Sequence, residues 1–298
     1  MKSSIIRVLK KLVGATPDGA VKFIYLKIFS PKPLRTILNG MIKIIIPEYL
    51  TIDEGKVFLD QDDAEVSGAL LLGAHDPFEI QTFRAAIRPG MPVIDIGANI
   101  GYYTVIAAGR TGQKGHVIAY EPVGPNFALL EKSLRQNNFS WVTPIKEAIS
   151  DKVGKQAIFL ADYHSGVHSF IDNRGFGRST EVTTDTLDGS LEKRGITRVD
   201  IIKMDIEGFE IMALAGMKLT LAANRNLTMF LELYPQAIER LGKAPLEYLE
   251  ALNDLGFKLS LIDEDRRQLV PLVPHEFKKF LSGIPKKGEV AKNIMASR

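Results

Sequence analysis

The 298 residues include 38 Lys and Arg against 35 Asp and Glu, a formal net charge of +3, with 45% hydrophobic and 24% charged residues. This is the composition of an ordinary globular chain with enough apolar material for a core, and its charge is too small to argue by itself for a nucleic-acid partner. Cysteine is absent, which excludes disulfides, thiolate metal sites and a cysteine nucleophile, and fits a reducing cytosol.

Charge is uneven along the chain. Residues 1–45 hold nine Lys or Arg against one acid, Asp18. On a helical wheel Ile5, Val8, Leu9, Leu12 and Val13 share one face, with Arg7, Lys10 and Lys11 opposite. Such a helix either packs on the main domain or rests on an anionic membrane surface. The apolar run "MIKIIIPEYL" carries Lys43 and stops at Pro47, too short to span a membrane, and no signal-peptide pattern precedes it. The expected location is cytoplasmic, with peripheral contact at the inner membrane face as an option.

Residues 44–74 read as short extended pieces, "KIIIPEYL", "KVFLD" and "GALLLG", closing an N-terminal extension over 1–75. A second unit, 76–298, begins with a helix from Asp76 to Ile87. Strands and helices then alternate: "MPVIDIG" and "IGYYTVIAAGR", "GHVIAYEP" and "GPNFALLEKSLRQNN", "WVTPIKEAIS". "KQAIFLAD" reads as an added antiparallel strand, and "YHSGVHSFIDNRGFGRST" as a long loop. "TEVTTDTLD" is extended and "GSLEKRG" a short helix. "RVDIIKMD" is a strand, "EGFEIMALAGMKLTLAA" one helix, "NLTMFLELYP" a strand and "APLEYLEALNDLG" a helix. "FKLSLI" and "QLVPLV" supply the last strands, and the basic "PKKGEVAKNIMASR" reads as a mobile tail. This alternation predicts a mostly parallel sheet covered by helices on both faces.

In such a sheet the ligand lies outside the carboxyl ends of the strands. The turn after "VIDI" is the natural place. A dinucleotide fingerprint needs glycines in the order G-x-G-x-x-G; the matching positions are Gly97, Asn99 and Tyr102. Two glycines are missing, and Asp95 stands just before the turn. A carboxylate there repels a pyrophosphate and suits a ligand with an ammonium group, so the turn fits S-adenosylmethionine better than NAD. Glu121, at the end of the next strand, is placed to accept hydrogen bonds from both ribose hydroxyls.

The blocks "VIDIGANIGYYT", "AYEPVGPNFALLEKSLRQN", "EAISD" with "TTDTLD", and "IIKMDIEGFEIMALAG" with "FLELYP" together resemble the FkbM-type methyltransferases. These belong to the class I S-adenosylmethionine-dependent enzymes, and the resemblance covers about residues 76–235. It implies a Rossmann-like class I methyltransferase fold. It implies a donor site in which Asp95 and Gly97 touch the methionine end, Asn99 and Gly101 complete the turn, and Glu121 holds the ribose. Glu147 and Ala148 stand at the adenine positions, and Glu79 on the preceding helix can face the methionine moiety. The chain departs from the family pattern by the extra Asp185 within "TTDTLD".

Asp205 and Glu232 end neighbouring strands, where carboxylates can orient an acceptor hydroxyl, act as base, or hold a divalent cation. Acids in the first turn of a helix, Glu207 and Glu210 here, also have a purely structural explanation in the helix dipole. No metal ligand is assigned. His164 and His168 are spaced i, i+4, but the glycine-containing loop around them argues against a helical zinc pair, leaving either as a candidate base. The resemblance implies O-methylation of a carbohydrate, glycan or secondary-metabolite hydroxyl, with N-methylation open. An NAD-linked oxidoreductase and a degenerate membrane-associated binding module remain the competing readings; no nucleic-acid partner is expected.

Overall fold

The computed structural model describes residues 40, 43–64, 66–73, 75–160, 168–170, 178–286 and 290–298. The basic helix expected near residues 5–13 and His164 lie outside the described residues. Among the described residues no helix is long and apolar enough to cross a membrane.

Five strands form the parallel heart of an eight-stranded sheet: β3 (Pro92–Ile96), β4 (His116–Tyr120), β5 (Val142–Ile145), β9 (Ile201–Met204) and β10 (Thr228–Leu233). Three more extend it: β11 (Lys258–Asp263), β12 (Gln268–Leu272) and β13 (Lys292–Ser297). The order across the sheet is β5-β4-β3-β9-β10-β13-β11-β12. From β3 the chain first moves outward through β4 and β5, then returns to β9 on the other side of β3. The order therefore reverses between β3 and β9, the crevice where ligands bind in doubly wound sheets.

The strands are apolar on both faces because both are covered. Ile94, Ile118, Tyr120, Ile202 and Met204 pack on one side with α5 (Leu187–Glu192), α6 (Glu210–Ala215), α7 (Lys218–Ala223), α8 (Pro235–Arg240) and α9 (Pro245–Asp254). Val93, Val117, Ala119, Ile201 and Phe230 face the other way, against α2 (Pro77–Ala86), α3 (Tyr102–Thr111) and α4 (Gly124–Gln136). The pleat's period of two puts Asp95, Lys203 and Glu232 on this second face, beneath α2 and α3. The α/β architecture expected from the sequence is present.

A hairpin of β1 (Tyr49–Ile52) and β2 (Gly55–Phe58) lies on α4. Lys56 N donates to Asn137 Oδ1 at 2.8 Å and Phe58 N to Ser133 Oγ at 2.9 Å. A small sheet of order β6-β8-β7, from Ala148–Ile149, Ser179–Asp185 and Gly154–Phe159, stands beyond β5. Its β7 is antiparallel, as expected from "KQAIFLAD".

Several elements differ from expectation. "GALLLG" is helical, in α1 (Val66–Leu72), because Asp63 Oδ1 accepts the Val66 N–H at 3.2 Å and so caps it. Short apolar runs do not distinguish helix from strand by period. The helix expected over 207–223 breaks into α6 and α7. At Gly216 the backbone passes so close to β6 that a Cβ would lie 2.0 Å from the Ser150 carbonyl oxygen. Asp188 then starts α7 by accepting the N–H groups of Leu219 and Thr220 at 2.9 and 2.8 Å. The tail expected to be mobile is instead β13, inserted antiparallel between β10 and β11 with Ile294 and Ala296 fully buried. The α8 turn and the helical stretch from Pro274 through α10 (Phe277–Ser282) had no distinct signal.

Candidate functional site

A cleft enclosing about 540 Å³, open mouth included, lies outside the carboxyl ends of β3, β4 and β9. Gly97, Asn99, Glu121, Glu147, Ala148, His168 and Asp205 line it together. Sequence reasoning named each of these, although they span more than a hundred residues of chain.

The turn after β3 needs backbone that only certain residues adopt. Gly97 has φ 83°, and a Cβ there would lie 2.0 Å from the Asp205 carbonyl oxygen. Only glycine lets β3 and the turn after β9 approach so closely. Gly97 and Ala98 donate their N–H groups to the Tyr120 carbonyl at 3.0 and 2.9 Å, tying the turn to the end of β4. Asn99, at φ 50°, donates its N–H to Glu121 Oε2 at 2.9 Å, and Val123 N donates to Glu121 Oε1 at 2.8 Å. Glu121 is thereby fixed at the cleft wall with lone pairs still available to hydroxyl donors. Burial pushes its carboxyl up to about 7, with the two backbone donors pulling back. Glu147 and Ala148 form the wall beyond Glu121. Phe170, its ring tilted against Phe209 with centroids 4.6 Å apart, lines the same cleft. Gly101 lies behind the turn, where a Cβ would meet Leu130 Cδ1 at 2.7 Å.

Asp95 and Glu79 sit below this wall. Asp95 is 1% exposed and accepts a hydrogen bond from Thr104 Oγ1 at 2.5 Å; burial raises it to about 6. Glu79 is 2% exposed. Its Oε2 accepts from Tyr103 OH at 3.0 Å and from Asn293 Nδ2 at 2.8 Å, and its Oε1 is 3.3 Å from Lys203 Nζ. Burial pushes Glu79 up to about 7 in spite of that ammonium.

Lys203 lies buried between Glu79 and Asp205. Its side chain is 1% exposed, 3.3 Å from Glu79, 3.1 Å from Asp205 Oδ2 and 4.9 Å from the centre of the Tyr103 ring. Burial works against the ammonium, but Asp205 and Glu79 outweigh it and hold Lys203 charged. Asp205, by contrast, keeps 36% of its side chain exposed toward the cleft. A buried cation thus anchors one oxygen of a carboxylate whose remainder faces the ligand space.

Beyond Asp205 the charge turns acidic. Oxygens of Asp205, Glu207 and Glu232 all lie within 4.8 Å of one another. Burial and then Asp205 raise the Glu232 carboxyl well above the ordinary range. Glu207, at φ 56°, was read from sequence as a helix-dipole acid; in fact it precedes α6 and turns into the cleft. The "EG" pair that places Glu207 and Gly208 just past the strand was the available signal. His168 is half-buried in the cleft wall, and burial lowers its pKa, so at neutral pH it is a neutral imidazole.

The family model for the Methyltransferase FkbM domain matches residues 95–259. No curated protein matches the chain. Among solved structures, a methyltransferase FkbM from Methylobacillus flagellatus KT is 14% identical, with 90% of this chain and 60% of that one covered and a TM-score of 0.41. A SAM-dependent methyltransferase from Aquifex aeolicus is 13% identical over 74% of this chain and 88% of its own, TM-score 0.41. Fibrillarin from Aeropyrum pernix, with natively bound S-adenosyl-L-methionine, is 11% identical over 71% of this chain and 68% of its own, TM-score 0.40.

Proposed function

The chain belongs to the FkbM methyltransferase domain family, and from that premise we propose that it methylates the oxygen of a hydroxyl on a carbohydrate, glycan or secondary metabolite. The methyl donor is S-adenosylmethionine. Gly97 and Asn99 shape the turn that receives it, Glu121 accepts from the ribose hydroxyls, and Glu147 and Ala148 border the adenine. Asp95 and Glu79 supply negative charge beneath the methionine end.

The observation that carries the acceptor assignment is Asp205, a partly exposed carboxylate anchored by a buried ammonium in the same cleft as the donor turn. In methyl transfer the C–S bond of the sulfonium breaks as the C–O bond forms, and a neutral thioether leaves. The hydroxyl proton must go to a base. Asp205 stands nearest that role, with Glu232 and His168 as neighbours that can orient the acceptor. The donor is already activated, so positioning and water exclusion supply most of the remaining rate.

Calorimetric titration with S-adenosylmethionine and with NAD tests the donor; affinity for NAD alone would sink the reading. A labelled-methyl screen against glycans and amines then separates O- from N-transfer. The basic stretch before residue 45 is proposed to touch anionic membrane, supported by its charge pattern alone. Vesicle binding that ignores added salt would refute that contact.

A further inference from the structure

We propose that Asp205, Glu207 and Glu232 form a site for one hard divalent cation of the Mg²⁺ or Mn²⁺ class at the acceptor end of the cleft. What the cation does there rests on the methyltransferase reading; whether it binds does not.

Each of the three carboxylates offers an oxygen, and these oxygens lie within 4.8 Å of one another. An ion with oxygen ligands at about 2.0–2.6 Å spans about 4–5 Å between ligands on opposite sides, so one ion can touch all three. The donor set is oxygen only. That chemistry selects hard cations over zinc or copper, which prefer nitrogen and sulfur.

A second observation comes from outside the triad. Glu210 is 0% exposed, and one of its oxygens accepts the Ile206 N–H at 2.8 Å, from inside the turn that carries Asp205 and Glu207. Its other oxygen, Oε2, is buried without a hydrogen-bond partner. Glu232 Oε2 is buried and unpartnered in the same way. A desolvated carboxylate oxygen with no donor is costly, and several together call for positive charge. Lys203 makes its close contacts with Glu79 and Asp205, at 3.3 and 3.1 Å, and hydrogen-bonds neither of these oxygens.

A cation held by the triad keeps open faces toward the cleft. A hydroxyl oxygen placed on one of them is polarised and made easier to deprotonate, which is the activation the acceptor needs. It also selects acceptors with two neighbouring oxygens, such as vicinal diols, which can take two open positions at once.

The test is a Mn²⁺ titration of the full chain without donor, following the free-ion signal by electron paramagnetic resonance. One equivalent should bind and be displaced by Mg²⁺. Glu207→Gln and Glu232→Gln should each weaken Mn²⁺ at least tenfold, while Glu48→Gln, on the surface beside Lys132, should not. Melting curves show whether each variant is folded. Should a triad variant fail to fold, the wild-type stoichiometry still decides. No binding by the wild type at millimolar Mn²⁺ overturns the site, and binding untouched in both folded triad variants overturns the residue assignment. S-adenosylmethionine titration of the same preparation reports the donor site separately, so loss of donor binding beside intact Mn²⁺ binding would refute the methyltransferase reading and leave the cation site standing.

Discussion

At the end of β4, Glu121 has both oxygens engaged by backbone N–H groups, at 2.9 and 2.8 Å. At the end of β10, Glu232 has a buried oxygen that no donor reaches. The two carboxylates occupy comparable places on one sheet, a few strands apart, yet one is finished and the other is not. On the donor side the protein has paid the ordering cost in advance, through a left-handed turn, close backbone approach and paired polar groups. Around Glu232 the fold holds like charges together, and the proposed cation would complete them. Under the proposed function, preorganisation belongs to the donor, which never changes, and unsatisfied charge to the acceptor, which must be activated.

The sharpest way to break this contrast is at Asp205. Asp205→Asn keeps size and an oxygen for Lys203 but removes the charge. Turnover should fall by about 10²–10⁴-fold, the usual contribution of a positioned base or orienting group. Donor affinity and melting temperature should hardly move. Normal turnover would make Asp205 a structural acid.

Lys203 joins the two sides, and losing it should cost stability. Lys203→Met strands the buried Glu79 carboxylate, and breaking such a pair typically costs about 3–5 kcal/mol. The pH dependence has a definite sign. Glu79 and Asp95 are already raised, to about 7 and about 6, so their neutral forms suit the fold. Their contribution is fully present below the ordinary carboxylate pKa and is lost as pH rises through the raised values. The deficit of Lys203→Met should therefore be smaller near about pH 5 than near about pH 8. Urea unfolding at the two values measures it, and an equal deficit would contradict the pairing.

On the donor side the expected effect is an affinity. Glu121 must be ionised to accept both ribose hydroxyls, so wild-type affinity for S-adenosylmethionine should rise with pH through about 7. Glu121→Gln should be roughly tenfold to a hundredfold weaker above that pH, the worth of a hydrogen bond to a charged group, with a flatter profile. Calorimetry across the range compares the two curves, and parallel curves would assign the titration elsewhere. The smallest effect belongs to Asn293→Ala, which removes one hydrogen bond from Glu79. About 0.5–1.5 kcal/mol of stability should go, visible as a few degrees in the melting curve.

What could be read from the sequence follows the same division. β3, β4, β9 and β10 are continuous apolar runs bounded by turn residues, and Gly97, Asn99 and Glu121 sit at fixed offsets from them. These three are therefore local in sequence, and the fold does bring them to one cleft. Asp205 and Glu232 were also named from their strand ends, but the contacts around them were not. Glu207 depends on a left-handed turn just before α6, and Glu79, which pairs with Lys203, is bonded by Asn293 from more than two hundred residues away. Pairings at such separation leave no periodic trace. The break at Gly216 was hidden for the same reason, since its cause is the backbone of Ser150. β13 was missed because a basic, polar segment with few apolar residues looks like a tail until its partners are known.

β13 also dictates when the sheet can close. Residues 292–297 pair with β10 and β11 on either side. Until they leave the ribosome, the apolar strand β10 keeps one edge bare, and β11 and β12 have no strand that pairs them to the rest of the sheet. Such an edge is a template for intermolecular pairing. Closure of the sheet thus waits on residues 292–297, with a long-range pairing as a late step. A nascent chain stalled before residue 292 would be a strong client for holdase chaperones, and its natural fate without them is aggregation rather than a trimmed but active enzyme.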